Sequence, residues 1–341
     1  MPEGQQWYRS IDDCLGPADT RFFATGFRRT EHDVRDVTVS AGEAPRPGSR
    51  ARVGIRYPTD WSTKQGRTDL RPHLSTIDML LLSAQLSEIH LAYAHGLDSG
   101  QRRMSWLRKM SFRAGRTPQD DLQGMTGLAV PAGTEPMPDA SGMRVSSYEC
   151  AVGVMRAVCE IVHPVGVATA GEAAYQSVDE ALGFAGTRYF GDGFKSKRQV
   201  IEEVIANMNE LSASARVHIQ PVAEIAVPTQ GLEGGFQPAL SLLDGLVVGS
   251  QLAQVLMYGL DALPRERSGT LWMIRAVLES AGPGRPCAGP VPARSRITRT
   301  QLLPLRGGTW RKIHFTSDCG GITAGVSCAH EIFAPSQPAG G

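Results

Sequence analysis

One block of sixteen residues occurs twice in this chain, and the duplication constrains the fold more than any other feature of the sequence. The copies cover 71–86 and 237–252, and Pro, Leu, Ser, Asp, Gln and Leu recur in register between them. Two tryptophans, Trp106 and Trp272, repeat at the same spacing as the two blocks. A duplicated module predicts two similar units that pack together, with a site between the copies.

Shorter matches extend the duplication on both sides of the block. Residues 52–55 match 216–219, and the segment with Cys150 and Cys159 matches the segment with Cys319 and Cys328. The small drift in spacing is what loop insertions produce. We therefore divide the chain of 341 residues into a first repeat with N-terminal strands (1–162), a connecting loop and helix (163–214), a second repeat (215–334) and a disordered tail (335–341).

The charge balance and the apolar runs argue against several classes of function. A net charge of +1 argues against binding to nucleic acid. The most apolar run, 77–94, is interrupted by Asp78, Gln85, Glu88 and His90, so we expect no membrane association. The N-terminus lacks the pattern of a secretory leader, and six cysteines in a chain of this length are expected to be buried thiols. We expect a cytoplasmic protein.

Two long helices are predicted, over 75–94 and 241–258, because apolar residues cover nearly the whole circumference of each. A helix of this kind must be enclosed by other elements. After each helix the pattern alternates as in strands, starting around the repeated tryptophans. One enclosed helix followed by several antiparallel strands, twice, indicates an α+β protein with a tandem double hot-dog fold, in which an antiparallel sheet wraps each of two long central helices.

Shorter elements complete this prediction. A third helix is expected at about 197–211, and long loops at 117–142 and 282–293, where Gly and Pro are frequent. Strands are expected at 21–28, 36–40, 51–57, 104–113, 144–162, 270–279, 294–303, 309–317 and 322–333.

The start of each long helix carries a Ser and an Asp with two interpretations. Ser75 with Asp78, and Ser241 with Asp244, have the Ser-x-x-Asp spacing of a capping box, which explains them without any function. The same buried helix N-terminus presents unpaired N–H groups and a partial positive charge, which can polarise a thioester carbonyl or stabilise an enolate. Both interpretations use the same geometry.

The copies differ at a position that capping does not require. His73, just before the first helix, is replaced by Ala239 in the second copy. A lone histidine is often structural, but this position suggests one working site, with His73 moving a proton, and one structural copy.

Other polar residues also have two interpretations. Gln85 and Gln251 recur inside the apolar helices, where a buried amide bonds either to the core or to a ligand. Lys64 and Arg67 lie in a polar loop, where they are either solvated or able to reach a polar substrate. A basic cluster is either a solvated face or a site for a phosphate or a carrier protein; it comprises Arg102, Arg103, Arg108, Lys109, Arg113 and Arg116.

Two resemblances to known families start from these motifs. Residues 237–244, Gln-Pro-Ala-Leu-Ser-Leu-Leu-Asp, resemble the His-Pro-Ala-Leu-Leu-Asp motif of polyketide-synthase dehydratase domains, with Gln237 in place of the His. Residues 57–64, Tyr-Pro-x-Asp-Trp-Ser-x-Lys, followed by Pro-His-Leu-Ser-Thr-Ile-Asp at 72–78, resemble the avirulence D family over nearly the full chain. Members of that family are implicated in making syringolides from a β-ketoacyl thioester and a ketopentose, and the related γ-butyrolactone synthases use a phosphorylated triose.

The resemblance to the avirulence D family implies a biosynthetic enzyme. No dedicated metal or redox cofactor is expected, because no motif for one is visible in the sequence. The enzyme's substrates are expected to be a β-ketoacyl thioester of acyl carrier protein or coenzyme A, and a small sugar or polyol whose hydroxyl accepts the acyl group. Cyclisation to a lactone-type signal or secondary metabolite is an optional later step. A hydratase or dehydratase of 3-hydroxyacyl thioesters, and a non-catalytic acyl-binding module, stay open as alternatives, as does a homodimer.

We assign each candidate residue a role in that reaction. His73 is the expected base for the acceptor hydroxyl, and Asp78 is expected to orient His73 or to cap its helix. Asp244 is a candidate acid or base from the other half. The remaining candidates are expected to contact substrate, and these are Ser75, Thr76, Lys64, Arg67, Gln85 and Gln251.

Overall fold

The structure, a computed structural model, describes residues 4–63, 71–138, 140–263, 265, 268, 271–284, 286–305 and 308–332. In chain order, its helices and strands are β1 (Gln5–Ser10), α1 (Asp12–Leu15), β2 (Glu31–Ala41), β3 (Gly48–Arg56), α2 (Thr76–Ala94), α3 (Ser99–Arg103), β4 (Trp106–Arg113), β5 (Met125–Pro136), β6 (Met143–Val152), β7 (Met155–Pro164), β8 (Gly171–Ser177), α4 (Val178–Leu182), β9 (Lys197–Asn207), β10 (Ser212–Pro221), α5 (Leu242–Leu260), β11 (Trp272–Ser280), β12 (Val291–Leu305), β13 (Gly308–Cys319) and β14 (Ile322–Ile332).

The described strands join one antiparallel sheet with a pseudo-twofold axis at its centre. Their order is β1-β9-β10-β12-β13-β14-β11-β4-β7-β6-β5-β3-β2-β8, and β4 pairs with β11 in the middle. Outward from this central pair, the strands on one side correspond in sequence order to those on the other. One half of the sheet packs against α2 and the other half against α5. The α+β class, with a large antiparallel sheet and few helices, is confirmed.

Both long helices are enclosed by the sheet over most of their length. Each has 19 residues, and all residues from Thr76 to Leu91 of α2 are buried, as the apolar circumference predicts. Both predicted capping boxes form, with Ser75 and Asp78 at the start of α2 and Ser241 and Asp244 at the start of α5. Among the described residues, none of the helices combines the length and hydropathy that crossing a bilayer requires.

The duplication begins earlier in each repeat than the sequence matches suggested. Thr-Arg-Phe-Phe at 20–23 has its counterpart in Thr-Arg-Tyr-Phe at 187–190. Both segments run through short 3₁₀ helices into a strand with a bulge, and Asp36 and Glu203 share a φ of 51° at those bulges. The division at 163–214 is therefore wrong, because that segment holds β8, α4, β9 and the start of β10.

The two repeats exchange their first strands. Strand β1 opens the first repeat but pairs with β9 of the second, while β8 opens the second repeat and pairs with β2 of the first. The short helices that follow these strands are exchanged in the same way: α1 of the first repeat packs on α5 of the second, and α4 of the second repeat packs on α2 of the first. Each half of the sheet is therefore completed by the other repeat.

The bulges explain why the predicted helix at 197–211 is wrong. The extra residue at Glu203 breaks the alternation of β9, so the buried residues Ile201 and Val204 are three apart, as on a helix face. Two further predictions also fail: 21–28 forms turns and a 3₁₀ helix, and the loop at 117–142 contains β5. The single strand expected at 144–162 is the hairpin of β6 and β7. The tail at 335–341 lies outside the described residues.

We expect acid to destabilise this core, because it contains two buried histidines whose pKa values are lowered. Burial is the main cause that lowers the pKa of His90 and of His163 from 6.5 to about 4. The native protein keeps both rings neutral while the unfolded chain protonates them, so stability is complete above pH 6.5 and falls as the pH drops towards 4. The loss should approach roughly 3 kcal/mol for each ring.

Urea unfolding at several pH values between 7 and 4 measures this loss. His218→Gln, which changes a partly exposed histidine on β10, is the control and should show the same pH dependence as the unmodified protein. An unchanged unfolding midpoint over this interval would contradict the prediction.

Candidate functional site

Asp78, at the start of α2, is the centre of a buried polar network. Its Oδ1 lies 2.8 Å from Nε2 of His32 on β2. Its Oδ2 accepts hydrogen bonds from the Ser75 backbone N (2.9 Å), from Ser75 Oγ (2.6 Å) and from the Tyr57 hydroxyl. Burial would raise the pKa of Asp78, but the hydrogen bonds from His32, Ser75 and Tyr57 outweigh it and lower that pKa below 3.8. Asp78 is therefore an anion at neutral pH.

Asp244, at the start of α5, has the equivalent network with different chemistry. Gln199 Nε2 on β9 donates to its Oδ1 at 2.6 Å, and Lys197 Nζ donates to its Oδ2 at 2.8 Å. Ser241 donates to the same Oδ2 through its N and Oγ, each at 2.8 Å. Asp244 is fully buried, and its ion pair with Lys197 is buried with it.

Corresponding positions in the two networks carry different residues. The alignment that matches Thr20 with Thr187 also matches His32 with Gln199, and each of these two bonds to Oδ1 of its aspartate. The Tyr57 hydroxyl oxygen also lies 3.2 Å from the backbone oxygen of His73, and Lys197 Nζ donates to the backbone oxygen of Ala239. The first network thus contains an imidazole and a phenol where the second has an amide and an ammonium group.

A cavity of about 90 Å³ opens beside the start of α2. It lies between the two repeats, because its wall includes Gln254 and Tyr258 of α5 as well as residues at the start of α2. The polar residues at the start of α2 in its wall are His73, Ser75 and Thr76, and the wall also contains an aromatic cluster of Phe22, Phe23 and Trp61. The sequence therefore predicted three of the residues that meet at this cavity.

His73 is half-buried in the cavity wall. Burial lowers the pKa of its ring below 6.5, although the nearby carboxylates of Asp120 and Asp78 partly oppose this effect. The ring is therefore neutral at pH 7 and able to accept a proton. Within the described residues, no hydrogen bond joins the ring to Asp78, so Asp78 caps the helix and binds His32 instead of orienting His73.

Thr76 lines the cavity at the start of α2. It is the first residue of α2, and the first N–H groups of a helix have no acceptor inside it. Those groups and the positive end of the helix dipole can stabilise an oxyanion in the cavity.

The other predicted contacts lie elsewhere. Gln85 accepts from Arg188 Nη1 at 3.3 Å, and Gln251 accepts from Arg21 Nη1 at 2.6 Å, so both amides bind arginines of the exchanged segments. Of these four residues, Arg21 lines the cavity. Lys64 and Arg67 lie outside the described residues.

The region around the second helix start is packed with side chains. Tyr189 and Leu232 are buried, and the Tyr189 hydroxyl lies 2.6 Å from Ser241 Oγ. Lys197 Nζ makes a third hydrogen bond, to Gln237 at 3.1 Å, which uses all three of its protons. Burial raises the pKa of Glu233 to about 7 in this region. Asp244 lies inside this network and not on the wall of the cavity at α2.

The sequence analysis missed His32, Tyr57 and Lys197. His32 and Lys197 lie far along the chain from the aspartates that they contact, and nothing in the local pattern marks them. Tyr57 opens the motif at 57–64, but the motif alone gave it no role. The repeated Thr-Arg-aromatic-Phe segment was the available signal, because it aligns His32 with Gln199.

Comparison with known proteins gives a family and several distant structures. Residues 6–333 match the family described as Pseudomonas avirulence D protein. The chain is 9% identical to a tesB protein from Mycobacterium avium subspecies paratuberculosis, with 77% of this chain and 88% of that chain covered at a TM-score of 0.38. A protein of unknown function with a hot-dog fold from Alicyclobacillus acidocaldarius is 8% identical, with 86% and 96% covered at 0.37. The dehydratase domain of RzxB from Pseudomonas fluorescens is 16% identical, with 84% and 94% covered at 0.32. No curated protein sequence matches the chain.

Proposed function

Since the chain belongs to the avirulence D family, with residues 6–333 matched, we propose that it is a biosynthetic enzyme that acts on a β-ketoacyl thioester and transfers the acyl group to a sugar or polyol hydroxyl. We further propose that its two wrapped helices form a tandem double hot-dog fold. Cyclisation of the product to a lactone-type compound is an optional later step of the same proposal.

The observation that carries this proposal is the difference between the two helix starts. At α2, a neutral imidazole and the free end of the helix meet in a cavity between the halves. At α5, alanine replaces the histidine, and the Asp244 carboxylate is neutralised by a buried ion pair with Lys197. One open site and one packed copy are what a duplicated enzyme with a single working site requires.

The chemical step follows from the groups at the cavity. His73 takes the proton of the acceptor hydroxyl while the hydroxyl oxygen attacks the thioester carbonyl carbon. The oxyanion of the tetrahedral intermediate lies at the N-terminus of α2, near the Thr76 N–H. Collapse of the intermediate breaks the carbon–sulfur bond, and the leaving thiolate takes the proton from His73.

The size of the cavity limits what it holds. Its volume of about 90 Å³ is well below the roughly 300 Å³ of the smaller drug-sized ligand sites. The cavity therefore takes the reacting end of the thioester and the acceptor hydroxyl, and a long acyl chain extends beyond it.

A direct assay tests the function. The purified protein is incubated with a β-ketoacyl N-acetylcysteamine thioester in the presence and absence of a ketopentose, and products are followed by mass spectrometry. We expect an acylated sugar and free thiol only when both substrates are present. Water loss from a 3-hydroxyacyl thioester without any acceptor would favour a dehydratase, and bound but unreacted thioester would favour an acyl-binding module.

His32 is predicted to be a positioning residue that supports Asp78. His32→Leu removes the donor to a buried carboxylate and should cost about 1–3 kcal/mol of stability, with a loss of turnover because the start of α2 shifts. His32→Gln should restore both, because Gln199 shows that an amide reaches the equivalent carboxylate at 2.6 Å. Urea unfolding and initial rates measure the two effects. A stable but inactive His32→Gln variant would instead assign His32 a proton-transfer role.

A further inference from the structure

Three arginines form a line across the outer face of the central strands. Arg275 on β11 lies opposite Arg113 on β4, and Arg113 lies opposite Arg156 on β7. All three side chains are exposed, and each has at least one sequence neighbour buried in the core, namely Phe112, Met155, Ala157 and Ala276. We call this set the arginine row. It contains one member of the basic cluster noted in the sequence, Arg113.

The arginine row is not neutralised by acidic side chains. Within the described residues, none of its three guanidinium groups takes part in an ion pair, and Arg156 donates only to the backbone oxygens of Gly153 and Met155. Like charges directly opposite each other on adjacent strands destabilise a sheet. The sheet therefore tolerates this row at a cost in stability, which suggests that the row has a purpose outside the fold.

A second row on the same face provides an internal comparison. Four residues along the same strands, Glu279, Lys109 and Glu160 lie opposite one another, so charges of opposite sign alternate. Lys109 forms an ion pair with Glu279. We call this set the compensated row. A charged line across these strands can therefore be neutralised, and the arginine row is not.

The pseudo-twofold axis relates these two rows. It exchanges Arg113 with Glu279, which have the same spacing as the repeated tryptophans, and exchanges Arg275 with Lys109. The arginine row lies next to the open cavity, because Ala114 and Met155, which line it, are adjacent to Arg113 and Arg156. The compensated row lies on the side of the packed copy, where Leu107 N donates to Glu233 at 3.0 Å. The uncompensated positive charge thus lies on the same side of the pseudo-twofold axis as the cavity at α2.

From this correlation we propose that the arginine row is the docking surface for the acidic face of an acyl carrier protein, which delivers the thioester to the cavity. This proposal rests on the proposed function and specifies its substrate carrier. The face is an exposed sheet surface, and a nucleotide bound as a small ligand needs a recess. Beside the row lie Val277, Ser111 and Val158, an uncharged strip with Val158 partly exposed, which suits contact with a protein.

Charge reversal in the arginine row tests the proposal. Arg113→Glu/Arg275→Glu should raise the KM for a β-ketoacyl thioester of acyl carrier protein by roughly tenfold or more, mainly through slower association. The KM for the N-acetylcysteamine thioester should not change. The variant should be no less stable than the parent, because positions 113 and 275 keep one like-charge pair while the pair of position 113 with Arg156 becomes one of opposite charges. Arg52→Glu/Arg198→Glu, on the distant strands β3 and β9, changes the net charge equally and is the control.

Binding of the holo carrier protein, measured by fluorescence anisotropy, separates docking from turnover. Binding that is lost in the arginine-row variant and kept in the control supports the docking surface even if no acyl transfer is found, in which case only the proposed function fails. Unchanged binding, equal loss in both variants, or an effect confined to the coenzyme A thioester would overturn the inference.

Discussion

His73→Ala is expected to lower kcat/KM for acyl transfer by about 10²–10⁴-fold, the usual contribution of a general base. The fold should survive, because the same position in the other copy is alanine and that helix start is intact. The rate of the unmodified enzyme should rise with pH through a pKa below 6.5, because burial favours the neutral ring. Initial rates across pH 5–8 with an N-acetylcysteamine thioester measure both effects.

A matched control uses a histidine that lies away from the cavity. His218→Ala changes a partly exposed residue on β10 and should leave the rate and its pH dependence unchanged. Full activity in His73→Ala would discard His73 as the base. Loss of activity together with loss of the folded state, seen by circular dichroism, would assign His73 a structural role.

Lys197→Met is expected to have the largest effect on stability among the substitutions proposed for this protein. The substitution leaves the Asp244 carboxylate buried without its cation, and removing one partner of a buried ion pair costs about 3–5 kcal/mol. Lys197 Nζ also donates to Gln237 and Ala239, so two further acceptors lose their donor. Urea unfolding of the variant against the unmodified protein gives the free-energy difference.

The double variant Lys197→Met/Asp244→Leu separates the ion pair from packing. Removing both charges should recover much of the loss, because an apolar pair avoids the burial of an unpaired charge. The folded fraction of either variant should keep its turnover number, since this network lies at the packed copy and not at the cavity. A large loss of turnover without loss of stability would place Asp244 back among the catalytic candidates.

The sequence predicted the parts of this structure that depend on local periodicity. An apolar circumference identified both enclosed helices, and the Ser-x-x-Asp spacing identified both caps, because each signal lies within a few residues. The bulged strand β9 was mistaken for a helix because the extra residue at Glu203 places Ile201 and Val204 on one face.

The candidate site was only partly predictable for a different reason. His73, Ser75 and Thr76 belong to the repeated block and line the cavity, and their role there stays a prediction. His32 contacts Asp78 from a distant part of the chain, and Arg21 reaches Gln251 from the opposite repeat. Such contacts depend on which strand lies next to which helix, and a single sequence does not specify that arrangement.

Because β1 and β8 are exchanged between the repeats, the two repeats are not independent domains joined by a linker. A fragment that ends after β7 would lack its own edge strand and would present β2 as an open edge. Each fragment alone should therefore aggregate, whereas the two expressed together carry each other's missing strand and should reassemble. Each repeat therefore depends on a strand of the other repeat for a complete, soluble fold.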